Sequence, residues 1–434
     1  MQTASKKVIN GWAMYDWANS VYNLVITTTF FPIYFTAITK NPDGSDVVSF
    51  MGRKFVNSSL YDYTLAAAYL LVAISYPILT SIADTKGNKK NFMKFFSTLG
   101  AFGCSLLFFF NDVSLLWLGV MAFMMASIGY AGSLVFYNAY LPEIAAPEDR
   151  DRVSAKGFSF GYIGSVIMQM IGFALVLMLK SNPLIGPRIT FLLVGIWWLG
   201  FAQITFARLP KVADTAKKKI NVLTDGFKEV KKVFNEVKTL PVLKRFLRGF
   251  FFYSMGVQTV MLAATLFGSK LLGLDDTKLI ITVVIIQLVA ILGAILMSRL
   301  SAKFGNLKVL MGVVIFWIFV CLAAYYTAVL KEQGEDPEMY FYVLAMAVGL
   351  VMGGIQALSR STYAKLMPDT KDTASYFSYY DLTEKLAIVI GIFSFGYIEE
   401  ITGSMKNSVL ILIVFFIIGF IWLLGALHKQ RTAK

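Results

Sequence analysis

Long apolar blocks alternate with short polar breaks along the whole of this 434-residue sequence. A helix needs roughly 20 mostly apolar residues to cross the hydrocarbon core of a bilayer. Blocks of this length predict 12 membrane-spanning helices, near residues 12–38, 60–84, 91–110, 113–139, 153–180, 188–209, 244–272, 276–302, 307–330, 338–366, 372–400 and 406–427. The predicted fold class is therefore an all-α membrane protein.

The composition favours burial in lipid over burial in a large soluble core. Hydrophobic residues make up 57% of the chain and charged residues 15%, whereas soluble domains average about 25% charged residues. Lys6 and Lys7 precede the first apolar block, which we interpret as a retained span rather than a cleaved signal peptide.

Positive charges lie in the breaks between the apolar blocks and favour every second break. The net charge is +14, and the even-numbered loops and both termini, counted together with the span ends that adjoin them, hold 30 of the 40 Lys and Arg residues. Because basic residues accumulate in cytoplasmic loops, this distribution predicts that both termini are cytoplasmic. A nucleic-acid-binding protein would concentrate its charge on one solvated face. We therefore expect a lipid bilayer as the partner, and no nucleic acid.

A polar segment separates the first six blocks from the last six. Residues 210–243 are rich in lysine, and apolar residues recur within them at spacings of three and four, at Leu223, Phe227, Val230, Phe234 and Val237. That spacing predicts an amphipathic helix on the cytoplasmic membrane surface. The predicted domains are a six-helix bundle over residues 1–209, this linker over 210–243, and a second six-helix bundle over 244–434.

The two halves of the chain share short motifs in the same order. Gly87-Asn88 follows the second block and Gly305-Asn306 follows the eighth, at an offset of 218 positions (305 minus 87). Pro142 follows the fourth block and Pro368 follows the tenth, at an offset of 226 positions (368 minus 142). Internal repeats of this kind are typical of transporter folds.

This organisation, with a short glycine-containing loop after spans two and eight, resembles the major facilitator superfamily (MFS). The loop motif of that superfamily is Gly-x-Leu-Ala-Asp-Arg-x-Gly-Arg-Lys. The chain keeps Ala83, Asp84, Gly87 and Lys89 of this motif and departs from it at Thr80, Thr85 and Asn88. The second copy of the loop has Ala302 in place of the aspartate. The resemblance therefore implies a gating role for Asp84, with Gly87 in the same loop.

Three longer strings narrow the resemblance. Residues 11–20 read GWAMYDWANS, residues 136–144 read FYNAYLPEI, and residues 353–361 read GGIQALSRS. These strings are similar to the branch of the superfamily that includes the autophagy-related vacuolar amino-acid effluxers and their bacterial relatives. The resemblance implies export of amino acids.

Ionisable residues inside a bilayer are costly unless they face a cavity or a partner, so each is a functional candidate. In the first span, Asp16, Asn19, Asn23 and Thr27 recur at helical spacing, which can place a polar stripe along a central cavity. Alternatively, Asp16 complements the positive end of its own helix.

The eleventh span carries Tyr380, Asp381, Glu384 and Lys385. Asp381 and Lys385 are spaced i, i+4, which allows an internally neutralised ion pair. Under the functional interpretation, Lys385 meets an anionic group of the substrate while an acid carries a proton. The candidates for proton coupling are Asp16, Asp381 and Glu384.

Arg360 of the tenth span has three possible roles. Its planar fork can bind a substrate carboxylate, and the side chain can also extend to the interface or pair with an acid of the gate. The predicted substrate-binding set is Asp16, Asn19, Asn23, Tyr137, Asn138, Gln258, Gln356, Arg360, Tyr380 and Lys385. An amide within a helix bundle can equally form an interhelical hydrogen bond.

Gly157, Gly161 and Gly164 of the fifth span have the small-residue spacing of closely packed helices. Residues 157–161 also match the pattern Gly-x-Ser-x-Gly. A nucleophile elbow needs a preceding strand and a histidine base, and the single histidine of the chain is His428, near its end. We interpret the match as chance.

Other chemistry-bearing patterns are also missing from the sequence. Cys104 and Cys321 lie far apart within apolar blocks, so we expect neither a disulfide framework nor a metal cluster. The chain contains no Gly-Lys-Ser/Thr phosphate loop and no His-Glu-x-x-His motif. We expect no cofactor, no metal and no enzymatic activity.

The leading hypothesis is a secondary carrier that moves a small zwitterionic solute such as an amino acid by alternating access, with H⁺ as a possible coupling ion. Carriage of a peptide or a sugar, a non-transporting receptor or sensor, and a membrane-embedded enzyme are the alternatives. We infer no obligate protein partner. In a bacterial host, the expected location is the cytoplasmic membrane.

Overall fold

A computed structural model describes residues 2–41, 43–179, 181–210 and 222–432. Long helices dominate these residues, and we number them α1 to α12. They are α1 (Lys6–Ile38), α2 (Asn57–Lys86), α3 (Lys89–Leu106), α4 (Leu116–Ala139), α5 (Arg150–Met178), α6 (Ile185–Arg208), α7 (Pro241–Leu266), α8 (Asp276–Phe304), α9 (Asn306–Glu332), α10 (Glu338–Leu366), α11 (Thr373–Thr402) and α12 (Met405–Thr432). Their bounds agree within a few residues with the predicted spans.

Ten helices in the described part of the chain are long and apolar enough to cross a membrane. They confirm a multi-pass all-α membrane protein. Helices α7 and α11 are not among these ten, so the predicted total of 12 spans stays a prediction. The side on which the termini lie also stays a prediction.

The helices pack in two groups. Helices α1 to α6 contact one another most extensively, as in the pairs α3–α4, α1–α5 and α1–α6. Helices α7 to α12 do the same, as in the pairs α8–α10, α7–α12 and α9–α12. The most extensive contacts between the groups are those of the pairs α5–α8, α5–α10, α2–α11 and α4–α11. This packing agrees with the predicted division of the chain into two six-helix bundles, which remains a prediction.

Helix α1 widens into a π-helix over Tyr22–Phe30. The hydroxyl groups of Thr28 and Thr29 donate to the Leu24 carbonyl at 2.9 and 2.8 Å, so side chains satisfy backbone that the α-helical ladder leaves unpaired. The wider turn breaks the 3.6-residue period that the sequence predicted from Asp16 to Thr27. Consequently Thr27 is buried away from the central cavity, and that part of the predicted stripe was wrong.

Each of the two repeated loops contains a glycine with a positive φ. Gly87 ends α2 with φ 64°, and Gly305 lies between α8 and α9 with φ 88°. Both values lie in the region that favours glycine, since a side chain there would meet its own backbone. The repeat predicted from these two positions therefore has a positive-φ glycine in each loop, although the conformations differ, with ψ 25° at Gly87 and 146° at Gly305.

The linker contains a helix over Val222–Thr239, which we call the linker helix. It contacts α2, α7 and α11 and buries Val233 and Val237, while Phe234 is 42% exposed. The predicted helix is present, but the predicted apolar stripe is only partly correct because Val233 lies outside it and packs against protein. Residues 211–221 and the side chains at positions 223, 227 and 230 lie outside the described residues.

Between α1 and α2 the chain forms a small antiparallel hairpin. Strand β1 (Val47–Phe50) pairs with β2 (Arg53–Val56), with Val47 opposite Val56. The hairpin lies at the end of the helices opposite to the linker helix, because one end of α1 and the start of α2 flank it.

Candidate functional site

A cavity of about 140 Å³ lies where the two groups of helices meet. Helices α1, α2, α4 and α5 form one wall, and α7, α10 and α11 form the other. Its polar and charged lining comprises Asp16, Ser20, Asn23, Tyr69, Tyr130, Asn138, Tyr253, Ser254, Gln258, Gln356, Ser359, Arg360, Tyr380, Glu384 and Lys385. Its apolar lining comprises Leu134, Phe158, Phe250, Val257, Met261, Ile355 and Ile388.

Arg360 of α10 reaches across the boundary between the two groups. Its guanidinium nitrogens lie 3.3 Å from Asp16 Oδ2 on α1 and 3.3 Å from Asn138 Oδ1 on α4. On α5 it donates to the Ser154 hydroxyl at 3.0 Å and to the Ser154 carbonyl at 2.9 Å. The side chain is only 3% exposed. Arg360 thus connects three helices of the first group to the second.

Aromatic rings enclose this ion pair. The Arg360 guanidinium carbon lies 4.2 Å from the Phe158 ring centroid and 4.8 Å from that of Trp12. Trp12 stacks on Tyr137 with ring centroids 4.5 Å apart. The Tyr137 hydroxyl donates to Asp16 Oδ2 at 2.6 Å. Asp16 Oδ2 therefore accepts from both Arg360 and Tyr137, and the exclusion of water strengthens these bonds.

A second set of charges lies on α11. Lys385 Nζ is 4.6 Å from the centroid of the Tyr69 ring on α2 and 4.0 Å from Glu384 Oε2. Gln258 of α7 donates to Glu384 Oε1 at 3.0 Å. Asp381 accepts from Asn138 at 3.5 Å, and its Oδ2 has no hydrogen-bond partner among the described residues. This part of the site therefore combines one cation, Lys385, with two carboxylates, Asp381 and Glu384.

The predicted gating residue Asp84 binds the start of α11. Its carboxylate accepts the backbone N–H groups of Ala374 at 3.1 Å and Ser375 at 2.8 Å. Lys89 lies 3.1 Å from Asp84 Oδ1 and also contacts Glu143 and the Thr373 hydroxyl. A carboxylate at a helix N-terminus satisfies unpaired N–H groups and complements the helix dipole. Gly87 provides the turn that brings Lys89 back to Asp84.

A second cluster joins the start of α5 to α8, α9 and α10. Asp151 accepts from Ser301 at 2.7 Å, from Asn306 at 2.7 Å and from Lys365 at 2.6 Å. The Asp151 side chain is 4% exposed. The carboxylate that the sequence motif lacks at Ala302 is thus supplied by the opposite group of helices. We call this set the Asp151 cluster.

A surface acid beside this cluster has a different environment. Asp149 accepts the Thr3 hydroxyl at 2.6 Å and lies 2.8 Å from Arg152. The hydrogen bond from Thr3, and then the bond from Arg152, lower the pKa of Asp149 below its usual value because both favour the charged form. Both partners belong to the first group of helices or to its N-terminal extension, so this contact does not join the two groups.

Comparison with known proteins identifies the fold and the family. The family model described as vacuole effluxer Atg22 like matches residues 4–150 and 146–434. The chain belongs to the Atg22-like family. The uncharacterized MFS-type transporter YxiO of Bacillus subtilis is 31% identical over 98% of this chain and 95% of its own length. Autophagy-related protein 22 of Kluyveromyces lactis is 24% identical over 96% of this chain and 92% of its own length.

A solved structure agrees with this assignment at the level of the fold. The crystal structure of the human organic anion transporter MFSD10 matches with a TM-score of 0.72 at 12% identity, over 96% of this chain and 99% of that chain. The predicted family is confirmed, and this Atg22-like protein is a multi-pass membrane transporter of the MFS. The relatives are named as transporters, which are not enzymes.

Most of the predicted site residues of this Atg22-like transporter lie together on the cavity wall. They are Asp16, Asn23, Asn138, Gln258, Gln356, Arg360, Tyr380, Glu384 and Lys385. Three others do not line the cavity. Tyr137 and Asp381 lie directly behind its wall, bonded to Asp16 and Asn138. Asn19 is buried, and its amide has no hydrogen-bond partner among the described residues.

Sequence reasoning missed the aromatic part of the cavity. Tyr69, Tyr130, Phe158 and Phe250 line it, and the Phe250 and Tyr380 rings stack with centroids 4.3 Å apart. In the sequence these aromatic residues lie within apolar blocks, where a residue that faces the cavity cannot be distinguished from one that faces lipid. Asp151 was also missed. The sequence did contain a signal for it, since Asp151 is an acid in the first turn of α5 between two basic residues, Arg150 and Arg152.

Proposed function

We propose that this Atg22-like protein is a secondary active carrier that exports a small zwitterionic solute, such as an amino acid, by alternating access. In this proposal α1 to α12 all span the membrane, both termini are cytoplasmic, and the bundles are residues 1–209 and 244–434. One observation carries the proposal. A cavity lined by charges of both signs lies between two groups of helices, with Asp84 and the Asp151 cluster joining the groups at one end. Alternating access needs such a cavity at the interface of the repeats.

The size and chemistry of the cavity suit a small zwitterion. Its volume of about 140 Å³ leaves room for a small solute, because one water molecule needs about 10–15 Å³ on the same measure. Lys385 is the proposed ligand for the substrate carboxylate, since Arg360 is already held by Asp16 and Ser154. Glu384 and the nearby aromatic rings are the proposed contacts of the substrate ammonium group, which ring faces attract.

The charge balance of the cavity supports coupling to protons. Three carboxylates (Asp16, Asp381 and Glu384) face two cations (Arg360 and Lys385) in and directly behind the cavity wall. An uncompensated charge is costly in a low-dielectric site, so one carboxylate is best accommodated with a proton. Release of that proton, or its replacement by the substrate ammonium, then couples the two fluxes.

Glu384→Gln is expected to uncouple exchange from the pH gradient. Glu384 lies among Gln258 of α7, Tyr69 of α2 and its own neighbours Asp381 and Lys385. The amide keeps the shape and the bond from Gln258 but cannot carry a proton. Substrate counterflow at equal pH should persist but fall about tenfold, because the amide oxygen still accepts from the substrate ammonium without the negative charge, while stimulation by an imposed gradient is lost. Glu332→Gln, at an exposed acid paired with Lys406, should retain both activities, and a gradient response in Glu384→Gln contradicts the assignment.

Asp151→Asn is expected to open the end of the cavity that the Asp151 cluster closes. Hydrogen bonds to a charged group contribute ~1.5–3 kcal/mol each, so the loss of the charge should shift the conformational equilibrium about tenfold. A cysteine replacing Ser254 on the cavity wall reports the change through its alkylation by a membrane-impermeant maleimide added from the cytoplasmic side. The native Cys104 and Cys321 are buried and give little background.

A matched aspartate provides the control for this experiment. Asp149→Asn removes a charge two residues away, but its partners Thr3 and Arg152 do not cross between the groups. Alkylation in that variant should equal the wild-type rate. An unchanged rate in Asp151→Asn would show that the Asp151 cluster does not hold this end closed.

The test of the proposal is efflux from proteoliposomes loaded with a mixture of labelled amino acids, with and without a pH gradient. Loss of particular amino acids, faster than from protein-free liposomes and dependent on the gradient, supports a coupled amino-acid carrier. Loss that does not depend on the gradient supports a carrier and contradicts coupling to protons. No loss beyond that of empty liposomes withdraws the amino-acid assignment, after which the same assay is repeated with labelled peptides and sugars.

A further inference from the structure

A short stretch of α5 packs against the Arg360–Asp16 ion pair. Ser154 offers its hydroxyl and its carbonyl to the guanidinium, and the Phe158 ring lies against the guanidinium face. Gly157 lies between these two residues, on the side of α5 that faces the ion pair. The sequence pattern of Gly157, Gly161 and Gly164 predicted only close packing of helices.

The space beside Gly157 is occupied by the ion pair itself. A β-carbon placed on Gly157 would lie closer than 3.0 Å to Asp16 Oδ2, and 2.9 Å from both Arg360 Nη2 and the Tyr137 hydroxyl. Side-chain β-carbons essentially never approach other heavy atoms this closely. The other two glycines face different groups: Gly161 faces the Ser20 side chain, and Gly164 lies beneath the backbone carbonyl of Trp17.

The three groups around Gly157 have little freedom to retreat. Tyr137 is fully buried and stacked on Trp12, whose indole nitrogen donates to the Tyr137 carbonyl at 3.0 Å. Arg360 is held on both sides by Ser154 and Asn138. Asp16 has a short side chain whose Oδ2 already accepts from Tyr137 and Arg360. A methyl group at position 157 therefore displaces the Asp16 carboxylate from Arg360.

We propose that Gly157 is a positioning residue that allows Asp16 and Arg360 to meet across the two groups of helices. The absent side chain leaves room for the carboxylate, the guanidinium and the Tyr137 hydroxyl at one point on α5. Gly157 acts through these groups and does not bind the solute. The importance of this ion pair for transport rests on the proposed function, whereas its geometry does not.

The experiment is a double-mutant cycle read by melting temperature in detergent and by flux in proteoliposomes. Gly157→Ala should lower the melting temperature by several degrees and reduce flux at least about tenfold, because the buried pair is broken. In an Asp16→Ala background the closest contact is gone and the ion pair is already broken, so Gly157→Ala should cause much less further loss of melting temperature. Gly164→Ala is the matched control, because its contact with the Trp17 backbone is the same in both backgrounds and its effect should not change.

Equal melting shifts for Gly157→Ala in both backgrounds would overturn the proposal, as would wild-type flux in Gly157→Ala. If Gly157→Ala does not fold, recovery of folded protein in the Asp16→Ala, Gly157→Ala double variant supports it. Failure of that double variant where Asp16→Ala alone folds contradicts it. The melting-temperature measurements need no substrate. They therefore still test the packing of Gly157 against the ion pair if the protein transports no amino acid.

Discussion

Arg360→Ala is expected to abolish transport, with a loss of at least about a hundredfold. The side chain donates to Asp16, Asn138 and Ser154 on three helices of the other group. Its removal leaves the Asp16 carboxylate buried without its cation, and breaking a buried ion pair in this way costs about 3–5 kcal/mol. The measurement is solute efflux from proteoliposomes, with the melting temperature as the parallel readout.

Two further variants separate charge from geometry at this position. Arg360→Lys keeps the positive charge but loses the planar fork, so it should recover part of the melting temperature and little of the flux. Arg188→Ala is the matched control, since Arg188 also donates to a backbone carbonyl (Phe108, 2.7 Å) and lies over a ring, but outside the cavity. Flux within twofold of wild type in Arg360→Ala would refute a central role for this ion pair.

Lys385→Ala is expected to remove substrate binding, with a fall in apparent affinity of at least about a hundredfold. Lys385 is the cavity cation that is not held by an inter-group ion pair, and truncating one member of a buried charge interaction costs ~2–5 kcal/mol or more. Scintillation-proximity binding and efflux should fall together, while the melting temperature changes less than in Arg360→Ala. Lys385 contacts the Tyr69 ring and its neighbour Glu384, whereas Arg360 holds three helices of the other group.

Lys406 provides a closely matched control for Lys385. It also combines a carboxylate, Glu332 at 2.6 Å, with a tyrosine ring, Tyr325 at 5.6 Å, but it lies on α12 away from the cavity. Lys406→Ala should bind and transport like wild type. Unchanged binding in Lys385→Ala would remove this lysine from the site and leave the Asp16–Arg360 region as the place to search.

The Asp16–Arg360 pair illustrates how far sequence reasoning reached. Each residue was recognised separately, because a charge inside an apolar block has few acceptable environments. Their pairing with each other was not predicted, since 344 positions separate them and nothing local links α1 to α10. The same holds for Asn138, whose amide contacts both Arg360 and Asp381.

The π-helix in α1 is a second feature that the sequence did not predict. The stripe predicted from Asp16 through Thr27 assumed an unbroken α-helical period, and the wider turn at Tyr22–Phe30 changes that period midway. Asp16 and Asn23 reach the cavity, while Thr27, which lies within the wider turn, does not. Such a distortion depends on tertiary partners such as the Tyr61 hydroxyl, which donates to the Thr27 carbonyl at 2.6 Å.

The sequence by itself determined the multi-pass helical architecture, the family and most of the ionisable residues of the cavity. The architecture and the ionisable residues follow from local properties, namely the length of apolar blocks and the cost of a charge in lipid. The family follows from the resemblance carried by residues 11–20, 136–144 and 353–361. Only the tertiary structure decided which charges pair, which aromatic rings face the cavity, and that Asp151 replaces the acid missing at Ala302. In a membrane helix, lipid-facing and cavity-facing positions carry similar apolar residues, so their separation depends on how the helices pack.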